Sequence, residues 1–226
     1  MVIGIISAMD EEIKKTVASI QDCKKTLYKD NTFYEGYINQ NKIVVLKCGV
    51  GKVNAAIGTT LLITKYDLDL IINSGIAGGG LGVNTKDLLI AEKFSYSDVD
   101  CVHFGYEFGV VPGMNKYFET DLGYRNKLKD ILNKLKICYK EGEILTADTF
   151  RMSKKELRNE INGNYGVEME GAAIAQTCYR LNVPFLSIRI ISDLLDSDNH
   201  IEEYSKFEAH AAELSSKLTI DFIKEL

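Results

Sequence analysis

Tryptophan is absent from this 226-residue chain, proline occurs twice and histidine three times. The five cysteines (Cys23, Cys48, Cys101, Cys138 and Cys178) are widely spaced and form no Cys-x-x-Cys pair. With so few histidines beside them, a zinc site has no ligand set to draw on. An odd number of scattered cysteines gives no disulfide framework either. The expectation is reduced, mostly buried thiols of a cytosolic protein. A chain this long buries roughly 70% of the surface its unfolded form exposes, so it needs neither kind of staple to fold.

A basic patch is also missing. Lys and Arg total 27 against 32 Asp and Glu, for a net charge of −5, and the lysines are spread out. No nucleic-acid partner is expected. The apolar start, Met1 to Met9, meets Asp10, Glu11 and Glu12 at once, whereas a signal peptide has basic residues before a longer apolar region. The longest uncharged stretch, 70–85, is broken by Asn73, Asn84 and repeated Gly, so no membrane span is expected. The glycine-rich segment lacks the following Gly-Lys-Ser/Thr of a P-loop, and no G-x-G-x-x-G opens a helix after the first strand. What remains, 46% apolar and 26% charged, is close to the average soluble globular composition. A soluble, cytoplasmic chain forming one domain over residues 1–226 is expected.

The pattern along the chain alternates strands and helices. Val2 to Ile6 reads as a buried strand. Ser7-Ala8-Met9-Asp10 fits a helix start, with Ile13, Val17 and Ile20 at helical spacing. Phe33 to Ile38 and Lys42 to Lys47 form a hairpin through Asn39-Gln40-Asn41. A helix from about Val53 to Tyr66 follows, then a strand Leu70-Ile71-Ile72 running into a glycine-rich turn, Ser74 to Gly80. Asp87 to Phe94 is a strand. Residues 95–121 have little periodicity, and loops that long are usually functional when ordered. A helix around Leu128 to Leu135, a strand at Ile144 to Thr146 and a polar helix around Lys154 to Asn162 come next. Val167 to Met169 is extended, Gly171 to Leu181 helical, Phe185 to Ile191 a strong strand. Phe207, Ala211, Leu214, Leu218 and Phe222 stripe a final helix. The expected fold is α/β: a single three-layer domain whose mixed, mostly parallel central sheet is flanked by helices.

Four segments end a strand in small or acidic residues: Ser7 to Glu12, Ser74 to Gly80, Val167 to Glu170, and Ser192-Asp193. In open α/β sheets ligands sit at the carboxyl ends of strands, so these groups should meet at one rim. Glu12 in a first helical turn also suits the helix dipole. Glu170 and Asp193 lie in apolar stretches and must find partners or shift their pKa. A buried pair with Arg189 is the structural alternative to catalysis. Three carboxylates at one rim suggest acid–base chemistry on a small polar ligand, with environments that separate their pKa values. Phe104, Tyr106, Phe108, Phe150 and Phe207 suit either a flat heterocycle or core packing.

The segments VIGIISAMDEE (2–12), GVGKVN (49–54), NSGIAGG (73–79), FGYEFG (104–109), VEME (167–170) and IRIISD (188–193) occur in an order and spacing that resemble a known family. The chain is similar to the 5′-methylthioadenosine/S-adenosylhomocysteine nucleosidases of the nucleoside phosphorylase superfamily, over essentially its whole length. The resemblance implies hydrolysis of the N-glycosidic bond of these nucleosides, and of 5′-deoxyadenosine, to adenine and the 5′-substituted ribose. It implies no cofactor, no metal and a homodimer. Position by position, Glu12 resembles the base that activates water and Asp193 the acid that protonates adenine N7, oriented by Ser192. Glu170 resembles the ligand of the ribose hydroxyls, positioned by Arg189, with Met169 under the sugar. Phe150 resembles the ring stacked on adenine, and the Arg151 backbone the partner of the base edge. Val50 and Phe207 resemble the alkylthio pocket, completed by Cys101, Phe104 and Pro112 of a second subunit. Ala8, Ile76, Ala77, Gly78 and Val167 complete the implied lining.

Some features depart from the family pattern. Ile76 stands where a Ser is usual, Cys101 and Arg151 stand where aliphatic residues are commoner, and the Gly80–Asp87 loop is one residue short. The first Arg in the chain is Arg125. Phosphorolysis needs cations to hold phosphate, so this scarcity favours water as the nucleophile. The alternatives are a purine nucleoside phosphorylase, a hydrolase of another adenosine-like nucleoside such as a futalosine, and a non-catalytic nucleoside binder, which only Ile76 supports.

Overall fold

The structure, a computed structural model, describes residues 1–197 and 200–226. The chain opens with β1 (Val2–Ser7), α1 (Asp10–Ala18), β2 (Gln21–Tyr28), β3 (Asn31–Ile38) and β4 (Asn41–Lys47). Next come α2 (Lys52–Lys65), β5 (Leu70–Gly79), β6 (Leu88–Tyr96), β7 (Phe118–Glu119) and α3 (Leu122–Lys134). β8 (Lys140–Thr146), β9 (Tyr165–Glu168), α4 (Gly171–Leu181), β10 (Phe185–Leu194) and α5 (His200–Glu225) complete it.

The strands make one ten-stranded sheet in the order β10-β6-β8-β9-β5-β1-β4-β3-β2, with β7 on β6. β10 also pairs with β5, so β5, β9, β8, β6 and β10 close into a ring. β1 runs parallel to β4 and β5, β10 to β5, and β8 to β6 and β9. The other five pairings are antiparallel. The sheet is therefore evenly mixed and partly closed, which corrects the expectation of a mostly parallel one. Short returns such as β9 onto β5 supply the antiparallel pairs that strand–helix alternation does not reveal.

Side chains alternate across each strand. Ile3 and Ile5 of β1 join Ile72, Leu186, Ile188 and Phe222 under α1, α3 and α5. Ile6 joins Leu46, Leu62, Ile71, Phe94, Ile174 and Phe185 under α2 and α4. Helices thus cover both faces. Local chemistry sets the boundaries. Asp121 caps α3 by accepting the Tyr124 N–H at 2.9 Å, and Asn182 ends α4 in the left-handed region. Lys29 and Asp30, both with positive φ, make the tight β2–β3 turn.

Three further expectations are corrected. Ser74 to Gly79 is not a turn but the second half of β5. The polar helix around 154–162 is only a short 3₁₀ turn at Lys154–Glu156. The thiols are not mostly buried: Cys23 and Cys138 are exposed, Cys48 and Cys101 half-buried, and only Cys178 is enclosed.

Phe94 is fully buried and packs on Phe185 at 5.4 Å between centroids. Phe94→Ala should cost about 3–5 kcal/mol. Thermal unfolding should show a Tm lower by roughly 10 °C, and a shift under ~2 °C would mean that the ring is not part of the core.

Candidate active site

The α1 N-terminus delivers Glu12, whose side chain bends back to the start of its own helix. Its Oε2 accepts the Ala8 N–H at 2.9 Å and the Met9 N–H at 3.1 Å, while Oε1 accepts the Ile76 N–H from β5 at 3.2 Å. The residue is 3% exposed. Burial raises its pKa, and the charge of Arg189 and the three N–H donors only partly offset that.

Asp193 comes from β10 at an irregularity. Ile191 lies opposite Ala77 and Asp193 opposite Gly78, so Ser192 is an extra residue on this strand. Such a bulge re-aims the side chains beside it. The Ser192 hydroxyl bonds Asp193 Oδ1, with the Ala77 carbonyl 3.3 Å away as its other acceptor.

β9 and the start of α4 carry two more carboxylates. Glu170 Oε1 accepts the Gly51 N–H at 2.7 Å. Glu168 Oε2 accepts the N–H groups of Glu170 (3.1 Å) and Gly171 (2.7 Å), and Arg189 Nη2 at 2.8 Å. Thr146 donates to its other oxygen. Burial and the neighbouring Glu168 charge raise the pKa of Glu170. Arg189 also donates to Asn73 and to the Ile76 carbonyl. It was expected beside Glu170, but its ion pair is with Glu168. Glu168 is the carboxylate that reaches the guanidinium.

These groups surround one cavity, with about 620 Å³ of empty space including its open mouth. Ala8, Glu12, Val50, Ile76, Ala77, Gly78, Phe150, Arg151, Val167, Met169, Glu170, Ser192 and Asp193 all line it. The four strand-end segments therefore do converge.

A profile of the phosphorylase superfamily matches residues 2–224. The 5′-methylthioadenosine/S-adenosylhomocysteine nucleosidase of an Exiguobacterium strain is 39% identical, over 100% of this chain and 99% of its own. The chain belongs to this nucleosidase family. The Neisseria meningitidis nucleosidase, solved with methylthio-immucillin-A, superposes with a TM-score of 0.93 at 32% identity, covering 100% of this chain and 99% of that one. The futalosine hydrolase of Helicobacter pylori superposes at 0.92 with 28% identity, covering 100% and 98%.

Within this nucleosidase-family cavity one expected aromatic is absent. Phe207 does not line it: its ring lies under Lys86 Nζ at 4.8 Å. Tyr204, one helical turn earlier on α5, lines the cavity instead and meets the edge of Phe150 at 5.4 Å. Cys101, Phe104 and Pro112, expected to serve the pocket of a second subunit, lie outside this chain's own cavity, and Phe104 is 83% exposed. Tyr106 is exposed and Phe108 stacks under Arg158 at 4.3 Å, so Phe150 alone of the five candidate aromatics faces the cavity. Met9, Thr149, Glu168 and Tyr204 were missed. Helical spacing from Phe207 could have pointed to Tyr204, and the acid just before a helix start to Glu168. Among the described residues no group of three or more His, Cys, Asp or Glu is arranged to hold a metal.

A carboxyl with raised pKa stabilises the fold while protonated, and that contribution is lost as pH rises through its folded-state pKa. Glu170→Gln stays neutral. Its Tm relative to the parent should therefore climb from about pH 5 to about pH 8, the folded-state pKa of Glu170, and level off above it. A Tm difference that stays flat with pH would contradict the raised Glu170 pKa.

Proposed function

We propose that this chain hydrolyses the N-glycosidic bond of 5′-methylthioadenosine and S-adenosylhomocysteine, releasing adenine and the 5′-thioribose. The observation that carries the reading is the meeting of Glu12, Glu170 and Asp193, all buried, with the Phe150 ring around one cavity. The relatives named above support the substrate class.

Adenine leaves poorly as an anion, so a proton must reach it as the bond lengthens. Asp193, held by Ser192, gives that proton to N7, help worth typically 10²–10⁴-fold. Glu12 takes a proton from the attacking water. Its three N–H donors fix its orientation, and burial makes it a stronger base than an exposed carboxylate. Positive charge grows on the ribose in the oxocarbenium-like transition state, and the surrounding carboxylates stabilise it. Glu170 binds the ribose hydroxyls over Met169. Phe150 stacks on the base, and the Arg151 backbone bonds its edge. Val50 and Tyr204 border the 5′ end.

In this reading residues 1–226 work as one domain in the cytoplasm, as a homodimer in which Cys101, Phe104 and Pro112 complete the partner's pocket. The exposed apolar side chains Val53, Ile57, Phe104 and Leu181 support an interface. No helix among the described residues is long and apolar enough to cross a membrane. A mass measurement in dilute solution should give twice the chain mass, and a monomer would remove the shared-pocket assignment.

Adenine release from methylthioadenosine should proceed at full rate without phosphate. Asp193→Asn should lower kcat at least ~100-fold with unchanged circular dichroism. Phosphate-dependent release of a ribose 1-phosphate would replace hydrolysis by phosphorolysis. Unchanged turnover in the variant would remove Asp193 as the acid. If a futalosine had the higher kcat/KM, the 5′ specificity would change but not the chemistry.

A further inference from the structure

Outside the cavity, three charged residues from separate segments close on one another. Lys52, the first residue of α2, places Nζ 2.8 and 2.7 Å from the two oxygens of Asp98 in the loop after β6. Asp98 Oδ2 also accepts the N–H of Asp148, in the loop after β8, at 2.8 Å. Asp148 Oδ1 in turn accepts the Lys52 N–H at 2.8 Å, and its Oδ2 lies 3.8 Å from Nζ. The Tyr96 ring lies 5.4 Å from the ammonium. The N-cap of α2 is Gly51, which has no side chain to cap it. The Asp148 carboxylate supplies the missing acceptor from another loop. Lys52 and Asp98 are only 22% and 19% exposed, so water screens their pairing less than it would a surface pair.

None of the three lines the cavity, yet Lys52 and Asp148, which Asp98 bridges, each lie within two residues of groups that do. Val50 precedes Lys52, and Thr149 and Phe150 follow Asp148. Gly51 gives its N–H to Glu170. Its φ is +97°, and a Cβ there would lie 3.1 Å from Asp148 Oδ1. The two loops therefore touch at that glycine, and a shift of one moves the other. Glu12 and Asp193 are held separately, by Ala8, Met9, Ile76 and Ser192.

We propose that Lys52, Asp98 and Asp148 form a positioning clamp. It fixes the spacing between Glu170 and the Phe150 wall, and so sets how tightly a nucleoside is held without touching it. This rests on the nucleosidase reading of the same cavity.

The clamp predicts a split between binding and chemistry. Asp98→Asn and Lys52→Met should raise KM for methylthioadenosine about tenfold, with kcat within about threefold. Lys52→Arg, which can still pair with Asp98, should restore KM to within about twofold. Affinity for adenine, measured by calorimetry, should weaken about tenfold in Asp98→Asn and needs no turnover. Loss of thermal stability with unchanged KM and adenine affinity would overturn the clamp and leave a purely structural ion cluster. So would an equal fall in kcat at constant KM, or a Lys52→Arg variant no better than Lys52→Met. If the parent protein released no adenine, the nucleosidase reading would fail on its own, and adenine affinity would still decide the clamp.

Discussion

Arg189 is the one buried cation among the described residues, and its position constrains the whole site. It sits in the β10–β5 pairing opposite Gly75. A Cβ at Gly75 would collide with both the guanidinium and Glu12 Oε1, so only glycine lets cation and base share that point of the sheet. Removing charge from water costs several kcal/mol per ion even after relaxation. Glu12, Glu168 and Glu170 would add mutual repulsion to that cost. Arg189 pairs with Glu168 and acts through space on Glu12 and Glu170. For the last two, burial still outweighs the attraction, and both pKa values stay raised. One cation thus pairs with one carboxylate and leaves two neighbours with a raised affinity for protons, a useful state for acid–base work.

Positioning of the cavity carboxylates is distributed. Each carboxylate is held by donors of its own segment or of the next strand. Glu12 uses its helix start and β5, Asp193 uses the bulge serine, and Glu170 uses the loop before α2. The bulge in β10 matters because a regular strand alternates. The extra residue there puts Ser192 and Asp193 side by side at the cavity, where both line the wall. The partly closed sheet brings β9 back against β5, and that return places Val167 to Glu170 across from Glu12.

Much of this was legible in the residues, and the failures have definite causes. Glu12, Glu170 and Asp193 could be found because each interrupts a strongly apolar segment, where a charge is expensive. β2 was overlooked because every residue in it is exposed. An edge strand carrying Lys24 and Lys25 shows no alternation, and its lysines guard an open edge. Ser74 to Gly79 looked like a turn because glycine is rare in strands. Here the small residues leave room for Glu12, Arg189 and Asp193 to crowd the strand. The ion-pair partner of Arg189 could not be read from spacing, since Glu168 and Glu170 are two residues apart and only the three-dimensional register chooses between them. Phe207 and Tyr204 lie one helical turn apart, and which of them meets the cavity depends on how α5 is rotated on the sheet.

The nucleophile end also explains why water rather than phosphate suits this cavity. A phosphate site needs cations or free N–H donors to receive several oxygens. Arg151 is the only cationic residue among those lining the wall, and its guanidinium is turned to the Ser97 carbonyl at 2.7 Å and to Glu156. The Nη1 and Nη2 groups of Arg189 are already taken by the Ile76 carbonyl, Asn73 and Glu168. The N–H groups of Ala8, Met9 and Ile76 converge as an oxyanion site would, but Glu12 already accepts all three. A second anion there would meet a carboxylate instead of a donor, beside the apolar side chain of Ile76. A neutral water meets no such repulsion and finds a base within the same constellation. In the proposed hydrolysis, the choice of nucleophile follows from which acceptor occupies those three backbone donors.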